Sequence, residues 1–437
     1  MTTKNKVEKL AVSGGERAVK NPPKEKWIKV TDKVKKAVLD LMDSQVIRIA
    51  DATGIIAEFE SNFSKMVGTN YGLAMSCCTV GLHSAYFAVG VGPGDEVIVP
   101  TYTWHASINP IIHCSATPVF CDIDPDSLTA DPDDIERKIT SKTKAISITH
   151  VWGNVCNMDR IVDIARHHKI ALIEDCSHAH GASWKGRKVG SFGDAGCFSL
   201  HGNKAVSGGE CGIVTTNSPE IFDKIVLLGL FGRKKTGVYN EEINKVGEMS
   251  LGVKYRPHPW AIAMANEDLK RLPELNKRRT ENYKYINGRL RNCSGIEVID
   301  PIPGAIRGGY LNFKFKLSKK VVGIVNRERV VEAMVAEGVP VAVDRYSVFP
   351  YKYGLLHCAP LYTTFDRRSI GGCFYDPTLT KEEEEKYKQT PFLPNAQDIA
   401  TRLIETPAFA DVTPGSLEEI CTAIIKVMKN IKYLADH

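Results

Sequence analysis

The residue with the most distinctive chemical setting is Lys204, in the stretch "CFSLHGNKAVSGGECGIVTTN". Two apolar runs, 196–200 and 212–216, are typical of buried strands, and small and polar residues form the loop between them. Lysine is seldom fully buried without a partner. An amine in such a loop can form a salt bridge, bind a phosphate, or act as a nucleophile whose pKa is lowered by burial.

A second candidate, Asp175, ends the strand-like run "IALIED" upstream of Lys204. Ligands of open α/β sheets bind at the carboxyl ends of the strands. A lone aspartate at such an end more often caps the following turn. Together, however, Lys204 and Asp175 match the needs of pyridoxal phosphate, which requires a lysine for its aldehyde and a carboxylate for its protonated ring nitrogen.

The sequence also contains the other groups that this cofactor needs, and all of them lie before Lys204. Ser76–Thr79 directly precede a predicted helix, whose free N–H groups can bind a phosphate. Trp104, in "PTYTWHAS", follows the next predicted strand and can stack on a ring. Ser199 lies five residues before Lys204 and offers a hydroxyl to the same phosphate. The sequence therefore predicts a pyridoxal phosphate site.

Strand-like and helix-like segments alternate regularly in the part of the chain that contains these residues. The apolar runs "YGLAM", "DEVIVP", "PVFCDI", "KAISITH" and "IALIED" are each followed by a turn and a helix-like segment. Two amphipathic helices, Val34–Asp43 and Ile56–Val67, precede them. This alternation predicts an α/β fold with a mostly parallel sheet that helices cover on both faces.

The pattern changes after Gly252. Two helices are predicted at Trp260–Leu272 and Arg278–Leu290, followed by strands "YLNFKFKL" and "VPVAV" and further helices. We expect a large cofactor-binding domain with an N-terminal helical arm at 1–270 and a smaller α+β domain at 271–437. The irregular segment 350–394, with the solvated helix "KEEEEKYK", is interpreted as an insertion that forms a lid or contacts another subunit.

The composition of the 437 residues is that of an ordinary globular protein, with 43% hydrophobic and 25% charged residues. The net charge of +6 is spread along the chain, so we do not expect nucleic-acid binding. The polar start lacks the apolar core of a signal peptide, and no apolar run reaches the roughly 18–20 residues that span a bilayer. The 12 cysteines show no metal-binding spacing, and we expect free thiols in a reducing cytoplasm.

Several longer blocks resemble the DegT/DnrJ/EryC1/StrS family of sugar aminotransferases, which are fold type I pyridoxal phosphate enzymes. These blocks are "GPGDEVIVPTYTW", "PVFCDIDPDSLTADP", "HVWGNVCNMD", "IEDCSHAHGASWKGRKVGSFGDAGCFSLHGNK" and "GVKYRPHPWAIA". The resemblance runs from about Leu10 to the C-terminus. The opening "LAVSGGERAV" is similar to members that aminate keto-cyclitols.

The resemblance implies a cofactor contact at each of eight positions. They are Lys204, which bonds the aldehyde; Asp175, at the ring nitrogen; His178, near the ring's 3-oxygen; Trp104, stacked on the ring; Cys78 and Thr79, in the phosphate loop; Ser199, on the phosphate; and Lys254, on the phosphate of a neighbouring subunit. His201 matches the family's histidine beside the lysine loop, and its role stays open.

Three positions depart from the family pattern. Cys78 replaces a glycine, so a Cβ there would be costly if the position required a positive φ. Cys211 interrupts a Gly-Glu-Gly-Gly run, and Lys254 stands where the family has asparagine but would still suit a phosphate. These departures suggest an unusual branch whose substrate differs from the family's typical nucleotide-sugars.

The resemblance implies an aminotransferase that takes an amino group from glutamate or glutamine and gives it to a keto-sugar or keto-cyclitol, as in aminosugar or antibiotic-type biosynthesis. It also implies a homodimer with shared active sites. Two alternatives stay open. One is a pyridoxal phosphate lyase or cyclase that acts on an amino acid, and the other is a non-catalytic regulator that binds the cofactor.

Overall fold

A computed structural model describes residues 8–23, 30–230, 232–233, 251–348, 354–364, 377–413 and 415–436. Its largest feature is a seven-stranded sheet with the strand order β1-β9-β8-β5-β4-β2-β3. Its strands are β1 (Tyr71–Met75), β2 (Glu96–Pro100), β3 (Thr117–Cys121), β4 (Thr143–Thr149), β5 (Ala171–Asp175), β8 (Ala195–Ser199) and β9 (Gly212–Thr216). Of these seven strands, β9 alone runs in the direction opposite to the other six, so the predicted mostly parallel sheet is confirmed.

Helices cover both faces of this sheet, as the alternating pattern predicts. The α-helices of the first part of the chain are α1 (Asp32–Asp43), α2 (Gly54–Val67), α3 (Cys78–Ala88), α4 (Asn109–His113), α5 (Pro132–Arg137), α6 (Met158–His168), α7 (Pro219–Gly229) and α8 (Pro259–Leu290). α3 and α7 pack on one face, whereas α2, α6 and the first half of α8 pack on the other. Alternate side chains of each strand enter the two cores, as Leu73 and Ala74 do in β1.

Polar caps fix where several of these helices begin. The side chain of Thr31 accepts a hydrogen bond from the N–H of Val34 at the start of α1, and Ser218 does the same for Ile221 in α7. Such a cap is worth about 1 kcal/mol of helix stability because it satisfies an N–H group that has no partner within the helix.

A smaller unit follows, built on a second, antiparallel sheet with the order β10-β12-β14-β13. Its strands are β10 (Ile296–Val298), β12 (Asn312–Leu317), β13 (Ala342–Val343) and β14 (Leu403–Pro407). A third sheet joins β6 (Ser183–Trp184), β7 (Arg187–Lys188) and β11 (Ala305–Ile306). The remaining helices are α9 (Lys319–Val322), α10 (Arg327–Ala336), α11 (Arg345–Val348), α12 (Pro360–Thr363), α13 (Lys381–Lys388), α14 (Pro394–Ala400), α15 (Ser416–Lys429) and α16 (Ile431–Asp436). No described helix is long and apolar enough to cross a membrane.

The prediction of two helices at 260–272 and 278–290 is wrong, because α8 is one helix of 32 residues that contains Pro273. Its first half packs on the large sheet through Ile262 and Leu269, and its second half packs in the smaller unit through Ile286 and Leu290. A proline inside a helix costs about 3 kcal/mol. Packing of both halves of the helix offsets that cost. The domain boundary predicted at residue 270 falls within this helix and stays a prediction.

The N-terminal segment 8–23 belongs to the core of the smaller unit, where Leu10 and Val19 are buried. The fully buried carboxylate of Glu337 accepts hydrogen bonds from the N–H groups of Ala11 and Ala18, and it forms an ion pair with Lys426. Residues at both ends of the chain are therefore held by one side chain.

The described parts of the segment 350–394 lie against the edge of the large sheet. His357 contacts Thr101 at 2.7 Å, and the hydroxyl of Tyr362 donates a hydrogen bond to Asn109 at 2.6 Å. The predicted solvated helix "KEEEEKYK" is α13, and none of its residues is buried. Residues 350–353 and 365–376 lie outside the described residues, so the role of the segment as a lid or subunit contact stays a prediction.

Candidate active site

The carboxyl ends of the central strands open into one cavity of about 340 Å³. β5 ends there with Asp175, β8 with Ser199, and β4 with Thr149. The loop between β8 and β9 adds Lys204, and the loop after β2 adds Trp104. Seven of the eight predicted cofactor contacts line this cavity: Cys78, Thr79, Trp104, Asp175, His178, Ser199 and Lys204.

The carboxylate of Asp175 is the most firmly positioned of these groups. One oxygen, Oδ2, accepts a hydrogen bond from the hydroxyl of Ser107 at 2.6 Å, and Oδ1 accepts one from the N–H of Ser177 at 3.0 Å. Asp175 is only 3% exposed. Because a carboxylate oxygen can accept two hydrogen bonds, each oxygen keeps a lone pair for a further donor such as a protonated ring nitrogen.

A chain of hydroxyl groups holds Ser107 in turn. The hydroxyl of Ser107 lies 2.8 Å from that of Thr103, which lies 2.9 Å from that of Thr149. Tyr86 donates its hydroxyl hydrogen toward the carbonyl of Ser107, with an oxygen–oxygen distance of 2.9 Å. All of these groups are buried. A satisfied buried network of this kind fixes side-chain orientation, so Asp175 is held before any ligand binds.

Lys204 enters the cavity from a short turn in which its N–H donates to the carbonyl of His201 at 2.9 Å. Burial of the ammonium lowers the pKa of Lys204 to about 8 from its usual 10.5, although the charge of Asp175 acts in the opposite direction. An amine with this pKa is neutral in a substantial fraction of molecules near neutral pH. It therefore has the nucleophilic form that attack on an aldehyde requires.

His178 lies in the turn after β5 and contacts the smaller unit. Its Nδ1 accepts the N–H of Trp152 at 3.2 Å, and its Nε2 lies 3.3 Å from the hydroxyl of Tyr346. Burial lowers the pKa of His178 well below its usual value, and the positive charge of Lys204 adds to this effect. The ring is therefore neutral, and since Nδ1 is an acceptor, its proton is on Nε2.

Cys78 and Thr79 are the first two residues of α3, whose first N–H groups have no acceptor within the helix. Such a terminus can bind a phosphate through its N–H groups and its dipole. Strain at Cys78 does not occur, because it is a helical residue and not one of the positive-φ positions. The glycine that this loop requires is instead Gly212, whose backbone passes close to the loop. A Cβ on Gly212 would lie 2.6 Å from the backbone nitrogen of Cys78.

Burial raises the pKa of the Cys78 thiol well above its usual value. Its sulfur accepts a hydrogen bond from the hydroxyl of Ser177 at 3.3 Å. The thiol is therefore protonated and fills space beside Asp175. Cys211, the second departure from the family pattern, is likewise buried, and burial raises the pKa of its thiol to about 12.

The two remaining residues singled out from the sequence, His201 and Lys254, are both exposed. His201 also lines the cavity but is exposed, and it lies 3.4 Å from Glu210 and 3.0 Å from Asn203. Lys254 is exposed and does not line the cavity of its own chain. The next residue, Tyr255, accepts the N–H of Ser76 through its carbonyl at 2.8 Å, so the segment with Lys254 runs beside the start of the phosphate loop.

Sequence reasoning missed four residues that line the cavity or position its groups: Ser107, Ser177, Arg345 and Tyr346. Ser107 follows Trp104 closely, and its place in the loop after β2 is a signal that could have identified it. Arg345 and Tyr346 begin α11, in the smaller unit, where no motif marks them.

The residues of the cavity fit pyridoxal phosphate. A carboxylate with free lone pairs, a lysine with a lowered pKa, a helix terminus and the aromatic ring of Trp104 all face one space. These are the groups that would hold its ring nitrogen, its aldehyde, its phosphate and its ring face.

The chain belongs to the DegT/DnrJ/EryC1/StrS aminotransferase family, whose model matches residues 29–363. Members of this family depend on pyridoxal phosphate, and the fold and cavity agree with that assignment. The protein is therefore a pyridoxal phosphate-dependent aminotransferase.

Three similar proteins illustrate the family. L-glutamine:scyllo-inosose aminotransferase of Streptomyces griseus is 33% identical over 336 residues, which cover 75% of this chain and 78% of that protein. GDP-perosamine synthase of Escherichia coli O157:H7 is 42% identical over 252 residues, covering 58% of this chain and 67% of the other. The X-ray structure of an aminotransferase from Psychrobacter cryohalolentis superimposes with a TM-score of 0.77 at 26% identity, covering 93% of this chain and 99% of that one.

We expect Asp175→Asn to retain the cofactor but to lower the turnover rate about a thousandfold or more, since each 1.4 kcal/mol lost from the transition state is tenfold in rate. The amide leaves the hydrogen bond from Ser107 possible but removes the negative charge. Steady-state kinetics with Asp159→Asn, a change at a surface ion pair, provides the control. Near-normal turnover of Asp175→Asn would show that the carboxylate only caps the turn.

The pKa of Lys204 predicts how cofactor capture depends on pH. Only the neutral amine attacks an aldehyde, so the capture rate of cofactor-free protein should rise with pH through a midpoint near 8, well below the usual lysine value of 10.5. The measurement is stopped-flow absorbance after mixing with pyridoxal phosphate between about pH 6.5 and about pH 10. Lys204→Ala reports the background from surface lysines, and a midpoint at the usual lysine value would contradict the prediction.

Proposed function

We propose that this aminotransferase moves an amino group from an amino acid, glutamate or glutamine, to the ketone of a sugar or cyclitol, in aminosugar or antibiotic-type biosynthesis. The observation that carries the proposal is the placement of Lys204 and Asp175 in one cavity that also contains the start of α3. The scyllo-inosose relative, matched over 75% of this chain, supports a cyclitol ketone, and the perosamine relative supports a sugar ketone.

Each side chain has a defined task in this proposal. The bound cofactor supplies an electron sink that makes the donor's Cα–H acidic. Lys204, once released from the aldehyde, removes the proton from Cα and later returns a proton, for which a pKa of about 8 is well matched. Asp175 keeps a proton on the ring nitrogen, and neutral His178 presents its Nε2–H to the ring's 3-oxygen.

The phosphate of the cofactor would be bound by the N–H groups of Cys78 and Thr79 and by the hydroxyl of Ser199. Trp104 would lie against the ring face. We place the protein in the cytoplasm as part of the same proposal, because the described cysteines are free thiols.

We expect the purified protein to be yellow, and borohydride to fix the cofactor on Lys204, as a peptide map would show. Mixing the protein separately with glutamate and glutamine should then convert the bound aldehyde to the amine form, which absorbance measures directly. A panel of keto-sugars and keto-cyclitols should restore the aldehyde form.

The alternatives give different results in this experiment. A lyase or cyclase would consume the amino acid and leave the cofactor as an aldehyde. A non-catalytic regulator would change neither the amino acid nor the cofactor. A label on any lysine other than Lys204 would contradict the assignment of the site.

The proposal includes a homodimer in which Lys254 reaches the cofactor phosphate of the partner subunit. Lys254 is exposed in its own chain, and its charge would suit a dianionic phosphate. Apolar side chains of α1 and its surroundings also remain exposed, with Leu39 at 54% and Ile47 at 66%. Exposed apolar patches are typical of interaction surfaces.

We expect Lys254→Ala to weaken cofactor retention without changing the fold, and Lys204→Ala to be inactive. If sites are shared, a mixture of the two variants should recover activity, because a heterodimer has one site with both lysines. Activity of the mixture is compared with that of each variant alone, and light scattering gives the assembly state. A mixture no more active than its parts would show that Lys254 does not serve the partner's site.

A further inference from the structure

The loop between β2 and α4, residues 101–108, carries several groups of the active site at once. Trp104 lines the cavity, and Ser107 donates the hydrogen bond that holds Asp175. Thr103 in turn contacts Ser107 at 2.8 Å. The groups for the ring face and for the ring nitrogen of the cofactor therefore both depend on where this loop lies. Connecting loops are usually the more mobile parts of a fold, so the anchors of this loop determine how well the site is formed.

His357 anchors the first residue of this loop, Thr101, and both side chains are buried. The hydroxyl oxygen of Thr101 lies 2.7 Å from Nδ1 of His357 and accepts the backbone N–H of His357 at 3.3 Å. Because the oxygen accepts that N–H, its own hydrogen can be donated to Nδ1. Two hydrogen bonds between one pair of residues fix both the position and the orientation of Thr101.

The ring of His357 acts through Nδ1. Burial lowers the pKa of His357 to about 4, and the charge of Lys138 adds to this effect, so the ring is neutral at physiological pH. A neutral imidazole with Nδ1 as acceptor has its proton on Nε2. In the part of the chain that the structure describes, Nε2 is buried and has no hydrogen-bond partner. Among those residues, the contact with Thr101 is therefore the polar contact that the imidazole makes.

The segment around His357, residues 354–364, is itself packed on the large sheet. The two residues before His357 are leucines that are buried in a core of this sheet. Further along, Tyr362 donates its hydroxyl hydrogen to Asn109 at 2.6 Å. Since Asn109 directly follows the loop, the segment holds the chain at both ends of the loop.

The smaller unit provides a second anchor at the next residue of the loop. The hydroxyl of Tyr102 donates a hydrogen bond at 2.5 Å to buried Asp344, which also accepts one from Lys314. Loss of the contact at Thr101 would leave the loop attached through Tyr102. We therefore expect a displaced loop, and not an unfolded protein, when the contact with His357 is removed.

We propose that His357 is a positioning residue of the active site, which through Thr101 holds the loop so that Trp104 and Ser107 reach their places at the cofactor. The inference rests on the role proposed above for Trp104 against the ring, and it does not depend on which amino donor and ketone the enzyme uses. A residue in this role touches neither cofactor nor substrate. Its removal should change the setting of the bound cofactor.

Two substitutions of His357 separate the roles of its two ring nitrogens. The amide oxygen of asparagine can lie near the position of Nδ1, whereas the longer glutamine reaches toward the position of Nε2. His357→Asn should therefore keep the hydrogen bond with Thr101, and His357→Gln should lose it. His168→Gln, at an exposed histidine of α6, is the matched control.

The first test measures the bound cofactor and not turnover. Pyridoxal phosphate is titrated into cofactor-free protein, and tryptophan emission and the circular dichroism of the cofactor are recorded. Loss of one hydrogen bond predicts roughly 10-fold weaker binding and a smaller dichroism signal in His357→Gln, whereas His357→Asn and His168→Gln should stay within about twofold of the wild type. The emission of Trp104, obtained as the difference from Trp104→Phe, should be quenched less in His357→Gln than in the wild type.

The second test asks whether His357 acts through Thr101. Thr101→Val removes the hydroxyl, and Thr101→Ser keeps it. Thr101→Val should weaken cofactor binding about as much as His357→Gln does, and the double variant should bind within about twofold of either single variant, because both changes remove the same contact. Losses that multiply in the double variant would show independent effects and would overturn the assignment.

The outcomes distinguish this inference from the role proposed for Trp104. Trp104 emission that the bound cofactor leaves unquenched in the wild type would contradict the proposed ring contact, and this inference with it. With that contact present, wild-type cofactor affinity and dichroism in His357→Gln would overturn the role of His357 alone. So would equal losses in His357→Asn and His357→Gln, or a loss of thermal stability without a change at the cofactor. If His357→Gln does not fold, Thr101→Val against Thr101→Ser gives the same comparison.

Discussion

The active site depends on a carboxylate that is buried but not fully satisfied. Removing a carboxylate from water is costly unless hydrogen bonds or an opposite charge compensate it. Asp175 receives one hydrogen bond on each oxygen, from Ser107 and from the N–H of Ser177. The rest of the compensation must come from the cavity, where a protonated ring nitrogen would provide it. The hydroxyl network behind Ser107 holds its hydrogen bond to this carboxylate in place, and Lys204 lines the same cavity.

The site also requires that the two units of the chain keep a fixed position relative to each other. The large sheet provides Asp175 and Lys204, whereas the smaller unit provides Arg345 and Tyr346. α8 packs in both cores, and the hydroxyl of Tyr346 lies 3.3 Å from the ring of His178. The packing of α8 in both cores and the contact between Tyr346 and His178 therefore fix the geometry of the cavity. A loss of packing in the smaller unit would move the part of the cavity wall that contains Arg345 and Tyr346.

Residues at strand ends could be predicted from the sequence, because the carboxyl ends of parallel strands meet at one edge of a sheet. This logic pointed to Asp175, and the structure places Asp175 in one cavity with Ser199, Trp104 and Lys204. It could not find Arg345, because a residue that reaches the site through tertiary packing of a separate unit leaves no local signal. The sequence pattern also did not reveal that residues 259–290 form one helix, α8, where packing on two cores outweighs the local cost of Pro273.

Glu174 and Asp175 show how adjacent carboxylates acquire different roles. Successive side chains of a strand point to opposite faces. Glu174 therefore points away from the cavity, where its oxygens accept the N–H groups of Gly190, Phe192 and Gly193 and contact His150 at 3.1 Å. Its hydrogen-bonding capacity is used up, and it closes the turn that leads into β8. His150, Glu174 and Cys176 lie close enough to suggest a metal site, but these bonds leave the carboxylate nothing to offer an ion.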